Sequence, residues 1–126
     1  MLAVDTNVLV RLLARDDAKQ AAAADAAVAK GAWVSQLVLA EAVRVLDAVY
    51  ERTPKQLSAA LELLLAHESL VLQDVDVVTA ALAQFRAKPA LGFSDCLVLE
   101  IARKAGHAPL ATFDKALGKL PGTQKL

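Results

Sequence analysis

One cysteine, Cys96, stands in a chain of 126 residues, so no internal disulfide can form. That excludes a small cross-linked scaffold and fits a reducing compartment, and the cytoplasm is the expected location. No uninterrupted apolar stretch approaches the roughly 20 residues a membrane helix needs, and no charged segment leads into an apolar signal core at the amino terminus. A soluble protein without membrane attachment is expected. Excess charge of either sign is also lacking. Fourteen Lys and Arg balance 14 Asp and Glu, so the molecule has no net field to draw in a polyanion, and any nucleic-acid contact must come from local patches. The two histidines, His67 and His107, have no Cys or His at metal-ligand spacing, which argues against zinc. His67 is expected at a helix end and His107 in a loop. Aromatic residues are only 4% of the chain, and Trp33, Tyr50, Phe85, Phe93 and Phe113 mostly fall in apolar stripes, so they are expected in the core rather than as base-stacking platforms.

What is present is apolar and periodic. Residues 1–126 are expected to form a single domain with one core, and an apolar content of 56% is high enough to leave surface for a partner to cover. Short apolar runs at Leu2-Val4, Ala32-Val34, Leu70-Leu72 and Leu110-Ala111 read as strands buried on both faces. Between them lie helical stripes: Val8, Leu9, Leu12 and Leu13; Leu39, Val43, Leu46 and Tyr50; Leu57, Leu61 and Leu64; Val78, Leu82 and Phe85. Thr53-Pro54-Lys55-Gln56 predicts a helix start, with Thr as cap, Pro at the first position and Gln closing a capping box. A further helix is predicted from about Ser94 to Ala105, stopping at Gly106, followed by a tail with Pro121 and Gly122. Strands alternating with helices imply a three-layer α/β/α domain with a short parallel central sheet.

Four acids stand out against this frame. Asp5 follows the first strand, Asp114 follows the strand ending near Ala111, Asp95 opens the long helix, and Glu41 lies about two turns into the helix after the second strand. Taken singly, each aspartate also reads as a helix cap, and Glu41 as one half of a surface pair with Arg44. In an open parallel sheet, however, ligands collect beyond the carboxyl ends of the strands, where such residues could converge. Two bare carboxylates about 4 Å apart repel by roughly 4 kcal/mol at an effective dielectric near 20, so a converged cluster needs protons or a cation. All-oxygen ligation suits Mg²⁺ or Mn²⁺, and a metal so held can turn bound water into hydroxide beside a phosphodiester.

The segments D-T-N at Asp5-Thr6-Asn7, L-A-E-A-V-R-V-L around Glu41, F-S-D at Phe93-Ser94-Asp95 and T-F-D at Thr112-Phe113-Asp114 together resemble the PIN-domain ribonucleases, specifically the VapC-type toxins of bacterial toxin-antitoxin pairs. The likeness spans nearly the whole chain. It implies a PIN-like fold and a metal-dependent endoribonuclease in which Asp5, Glu41, Asp95 and Asp114 bind Mg²⁺ or Mn²⁺. Asn7 and Thr112 would orient these ligands, and Ser94 could cap its helix and leave Asp95 free. The resemblance also implies RNA as substrate, a cognate antitoxin as partner and a homodimer. Ala42 after Glu41 and Cys96 after Asp95 depart from the usual neighbours without removing a ligand. Phosphate contacts would fall to Arg11, Arg15 and Arg86, which otherwise read as solvated surface charges. Two other classes remain: a PIN-like module that binds RNA or a regulator without cutting, and a phosphoacceptor receiver, for which the required acids and lysine are largely missing.

Overall fold

Three of the apolar runs form one parallel sheet in the order β1-β2-β3, made of β1 (Leu2–Ala3), β2 (Ala32–Val34) and β3 (Leu70–Leu72). Leu2 pairs with Ala32, which pairs with Leu70, and Val34 pairs with Leu72. Parallel neighbours require crossovers, and helices supply them: α1 (Thr6–Ala14) and α2 (Ala18–Val28) join β1 to β2, and α3 (Gln36–Ala48) and α4 (Pro54–Ala66) join β2 to β3. The fold is of the three-layer α/β/α class with a short parallel central sheet.

The computed structural model describes residues 1–126 and separates into two compact units, Met1–Val75 and Asp76–Leu126. In the first unit each helix starts on a side-chain cap. The caps are Asp5, Asp17, Ser35 and Thr53, and Thr53 and Gln56 form the reciprocal capping box. Each cap occupies an amide that the first turn would otherwise leave unpaired. Helix α1 packs against α2 and α3. Its contact with α2 is made possible by small side chains, since Ala21, Ala24 and Val28 form that helix's buried stripe. Leu9, Leu39, Leu61 and Leu64 are at most 1% exposed and anchor the unit's core.

The strands are not buried on both faces as their composition suggested. Ala32, Val34, Leu70 and Leu72 are buried, whereas Trp33 is 37% and Val71 48% exposed. Successive strand residues point to opposite sides, and three consecutive apolar residues cannot reveal in sequence which side will be sequestered.

The second unit holds most of α5 (Val75–Ala87), a 3₁₀ turn at Pro89–Leu91, α6 (Phe93–Lys104), β4 (Leu110–Thr112), a 3₁₀ turn at Leu117–Lys119 and β5 (Thr123–Lys125). Phe85 and Phe93 are buried and meet edge to face at 6.2 Å. The buried carboxylate of Glu100 accepts a 2.7 Å hydrogen bond from Gln84 Nε2. Helix α6 starts one residue earlier than expected, and its cap position is Gly92, with φ at +78° and no side-chain hydrogen bond. Ser94 is therefore inside the first turn, and the capping role anticipated for it is not realised. A glycine suits this entry because a positive φ carries little penalty without Cβ.

The supposed carboxyl-terminal tail is a strand. β5 runs parallel to β4, with Leu110 opposite Thr123 and Thr112 opposite Lys125. The Arg103 guanidinium donates to the Pro121 carbonyl, and a Cβ at Gly122 would meet that guanidinium at 2.9 Å. Thr123-Gln124-Lys125 has no apolar run to announce a strand.

Candidate nuclease site

The predicted acids fall two in each unit, Asp5 and Glu41 in the first and Asp95 and Asp114 in the second. In the first unit, Asp5 leaves the end of β1 and caps α1, its Oδ1 accepting from the Val8 amide at 3.0 Å. The next residue, Thr6, donates its hydroxyl to Glu41 Oε2 at 3.1 Å. Packing of α1 on α3 makes this contact possible, because Ala42 and Val43 bury one face of α3 and leave Glu41 exposed beside the start of α1. Glu41 forms no ion pair with Arg44. Thr6 was legible in the sequence only as the middle of D-T-N, and its hydroxyl links the segment that carries Asp5 to the Glu41 carboxylate.

In the second unit, Asp95 stands in the first turn of α6 and Asp114 just beyond β4. Partial burial holds the Asp95 carboxyl above the usual carboxylate range, and the neighbouring charge of Asp114 raises it further. A cation would relieve both effects. Asp114 is fixed by its own turn, where its amide donates to Thr112 Oγ1 at 3.0 Å and its Oδ1 accepts from the Leu117 amide at 2.8 Å. Thr112 thus orients the segment carrying the acid.

The remaining expected residues have definite places. Asn7 is exposed on α1 and lines a cleft of about 420 Å³ with Asp5, Arg11, Gln20 and Ala27. Arg11 also donates to Asp16 at 3.1 Å and to the Tyr50 hydroxyl at 3.0 Å, and that hydroxyl donates in turn to Asp16. Arg15 holds Asp25 with two hydrogen bonds of 2.9 and 2.7 Å. Arg86 is exposed in the last turn of α5.

No group of three or more His, Cys, Asp or Glu that could hold a metal ion is present. The acids offer hard oxygen donors, a chemistry that suits Mg²⁺ or Mn²⁺. Two softer donors, His67 and Cys96, are engaged elsewhere. His67, at the end of α4, accepts the Ser69 amide on Nδ1, while Cys96 is fully buried with its thiol pushed up to about 11, first by burial and then by Asp95 and Glu100.

The sequence model of the PIN domain matches residues 2–122, a span that contains all four acids. The chain belongs to the PIN-domain family. Membership supports a nuclease-like role in general for this PIN domain. The comparison with curated proteins gives no match. No helix is long and apolar enough to cross a membrane.

Proposed function

We propose that this PIN domain is a metal-dependent endoribonuclease that hydrolyses RNA phosphodiester bonds as the toxin of a toxin-antitoxin pair in the cytoplasm. The observation that carries the reading is the placement of the acids two by two, with Glu41 held by the residue next to Asp5, and with the Asp95 carboxyl kept above the usual carboxylate range first by burial and then by the charge of Asp114. All four are proposed to serve as ligands for Mg²⁺ or Mn²⁺. When bound, such an ion supplies an activated water and stabilises charge developing on a phosphoryl group. Thr6 holds Glu41 in one orientation, and Thr112 sets the turn that presents Asp114. Asn7 would add a polar contact beside Asp5. Arg11, on the same cleft, Arg15 and Arg86 are proposed phosphate contacts, and Arg11 and Arg15 would exchange Asp16 and Asp25 for the phosphate.

The toxin role brings a cognate antitoxin and a homodimer as proposed partners. Large apolar side chains that remain exposed support both, since Leu37 is 69%, Val49 70% and Leu63 59% accessible around α3 and α4.

The deciding experiment incubates purified protein with defined RNAs, with and without Mg²⁺ or Mn²⁺ and chelator, and maps the product ends. Cleavage is expected only with the ion. It should fall by at least about a hundredfold in Asp95→Asn, since the substitution removes a charged ligand from the reacting centre. RNA binding without cleavage under every metal condition would instead identify a non-catalytic module.

A further inference from the structure

Phe113 departs most sharply from what its sequence context suggests. Phe85 and Phe93 are buried, but the Phe113 side chain is 80% exposed, so it forgoes the favourable burial a phenyl ring ordinarily gains. The turn that carries it holds it out. Thr112 Oγ1 takes the Asp114 amide, Asp114 Oδ1 takes the Leu117 amide, and the Thr112 carbonyl accepts from the Leu126 amide at 2.8 Å. Residues on both sides of the ring are thereby tied down, which limits the entropy lost when a ligand uses it.

The segment that carries the ring has more cations than acids although the chain as a whole is neutral. From Leu110 to Leu126 Lys115, Lys119 and Lys125 are all exposed against one acid, Asp114, whose neighbour in space is Asp95. Lys125 lies on β5 opposite Thr112, and its stem packs against Gly118, where an added Cβ would come within 2.9 Å. Exposed lysines on the turn and strand next to an exposed ring suit a polyanion with flat bases better than an apolar protein surface, which would have to desolvate those charges.

We propose that Phe113 is a stacking platform for a base of single-stranded RNA, with Lys115, Lys119 and Lys125 meeting the adjoining phosphates. The assignment rests on the nuclease reading for its choice of substrate, and it places a base contact one residue from Asp114. Stacking on an aromatic face tolerates any base, so this contact supplies grip and register rather than sequence choice.

The test measures binding of a labelled single-stranded RNA oligonucleotide to the full chain by fluorescence anisotropy in chelator, where cleavage does not interfere. Phe113→Ala and Phe113→Leu are both expected to weaken binding by about tenfold, and Phe113→Trp to retain it. The double variant Lys115→Gln/Lys119→Gln should bind more weakly and show a shallower dependence on salt. The proposal is overturned if the wild type does not bind RNA, if Phe113→Ala binds like wild type, or if Phe113→Leu does, the last result showing that an apolar side chain suffices without ring stacking. Cleavage is scored separately. Loss of RNA binding in Phe113→Ala in a wild type that never cuts RNA would sink the nuclease reading and keep the platform, while cleavage with unchanged binding in Phe113→Ala would do the reverse.

Discussion

Asp5 shows how one carboxylate can be both a structural cap and a proposed ligand. Its Oδ1 is used by the Val8 amide, leaving the second oxygen available, and Asp114 divides its oxygens in the same way at Leu117. The two roles separate by substitution. Asp5→Asn keeps a good cap and should leave the melting temperature of the metal-free protein nearly unchanged while abolishing RNA cleavage; Asp5→Ala should also lose about 1 kcal/mol of stability, read by urea unfolding. Thr6 makes a sharper case, because it touches Glu41 without being an acid itself. Thr6→Val should reduce cleavage about tenfold, the scale of one hydrogen bond to a charged group, with stability changed by less than about 0.5 kcal/mol. Comparable cleavage by Thr6→Val and wild type would show that Glu41 needs no such positioning. None of this pairing was legible in the sequence, where Thr6 and Glu41 are 35 residues apart.

At the scale of elements, the helices were legible and the short strands only partly so. Capping residues and a stripe of recurring leucines are local properties, which is why the helix beginning at Pro54 was predictable from Thr53 to Gln56 and from Leu57, Leu61 and Leu64. Leu61 is fully buried in that stripe. Leu61→Ala should therefore cost about 2–5 kcal/mol, measured by denaturant unfolding, because the surrounding side chains close the resulting cavity only in part. A loss under about 1 kcal/mol would mean that α4 is not anchored as its burial indicates. Strands of two or three residues lack such signals. β5 depends on backbone hydrogen bonds to β4 and on the Arg103 contact with Pro121, neither of which is encoded within Thr123-Gln124-Lys125. Helix α6 was foreseen, but its first residue was not, because Gly92 provides a backbone conformation rather than a capping side chain.

For the whole molecule, neutrality and apolar excess have separate consequences. Zero net charge leaves any attraction of a polyanion to local groups such as the exposed Lys115, Lys119 and Lys125. The apolar excess is visible as exposed Leu37, Val49 and Leu63. If a second copy covers this surface, light scattering should give about twice the chain mass of 13.3 kDa, and Leu37→Glu should shift the population toward monomer. A monomeric wild type at the concentrations used for cleavage would remove the homodimer from the proposal. The sequence alone determined the α/β class and the start of the helix at Pro54, since periodicity and caps are written in neighbouring positions. Tertiary structure alone decided that Thr6 reaches Glu41, that Asp114 acts on Asp95, and that Phe113 stays in water while Phe93 does not. Those outcomes depend on which elements pack together, and packing joins residues that no local pattern connects.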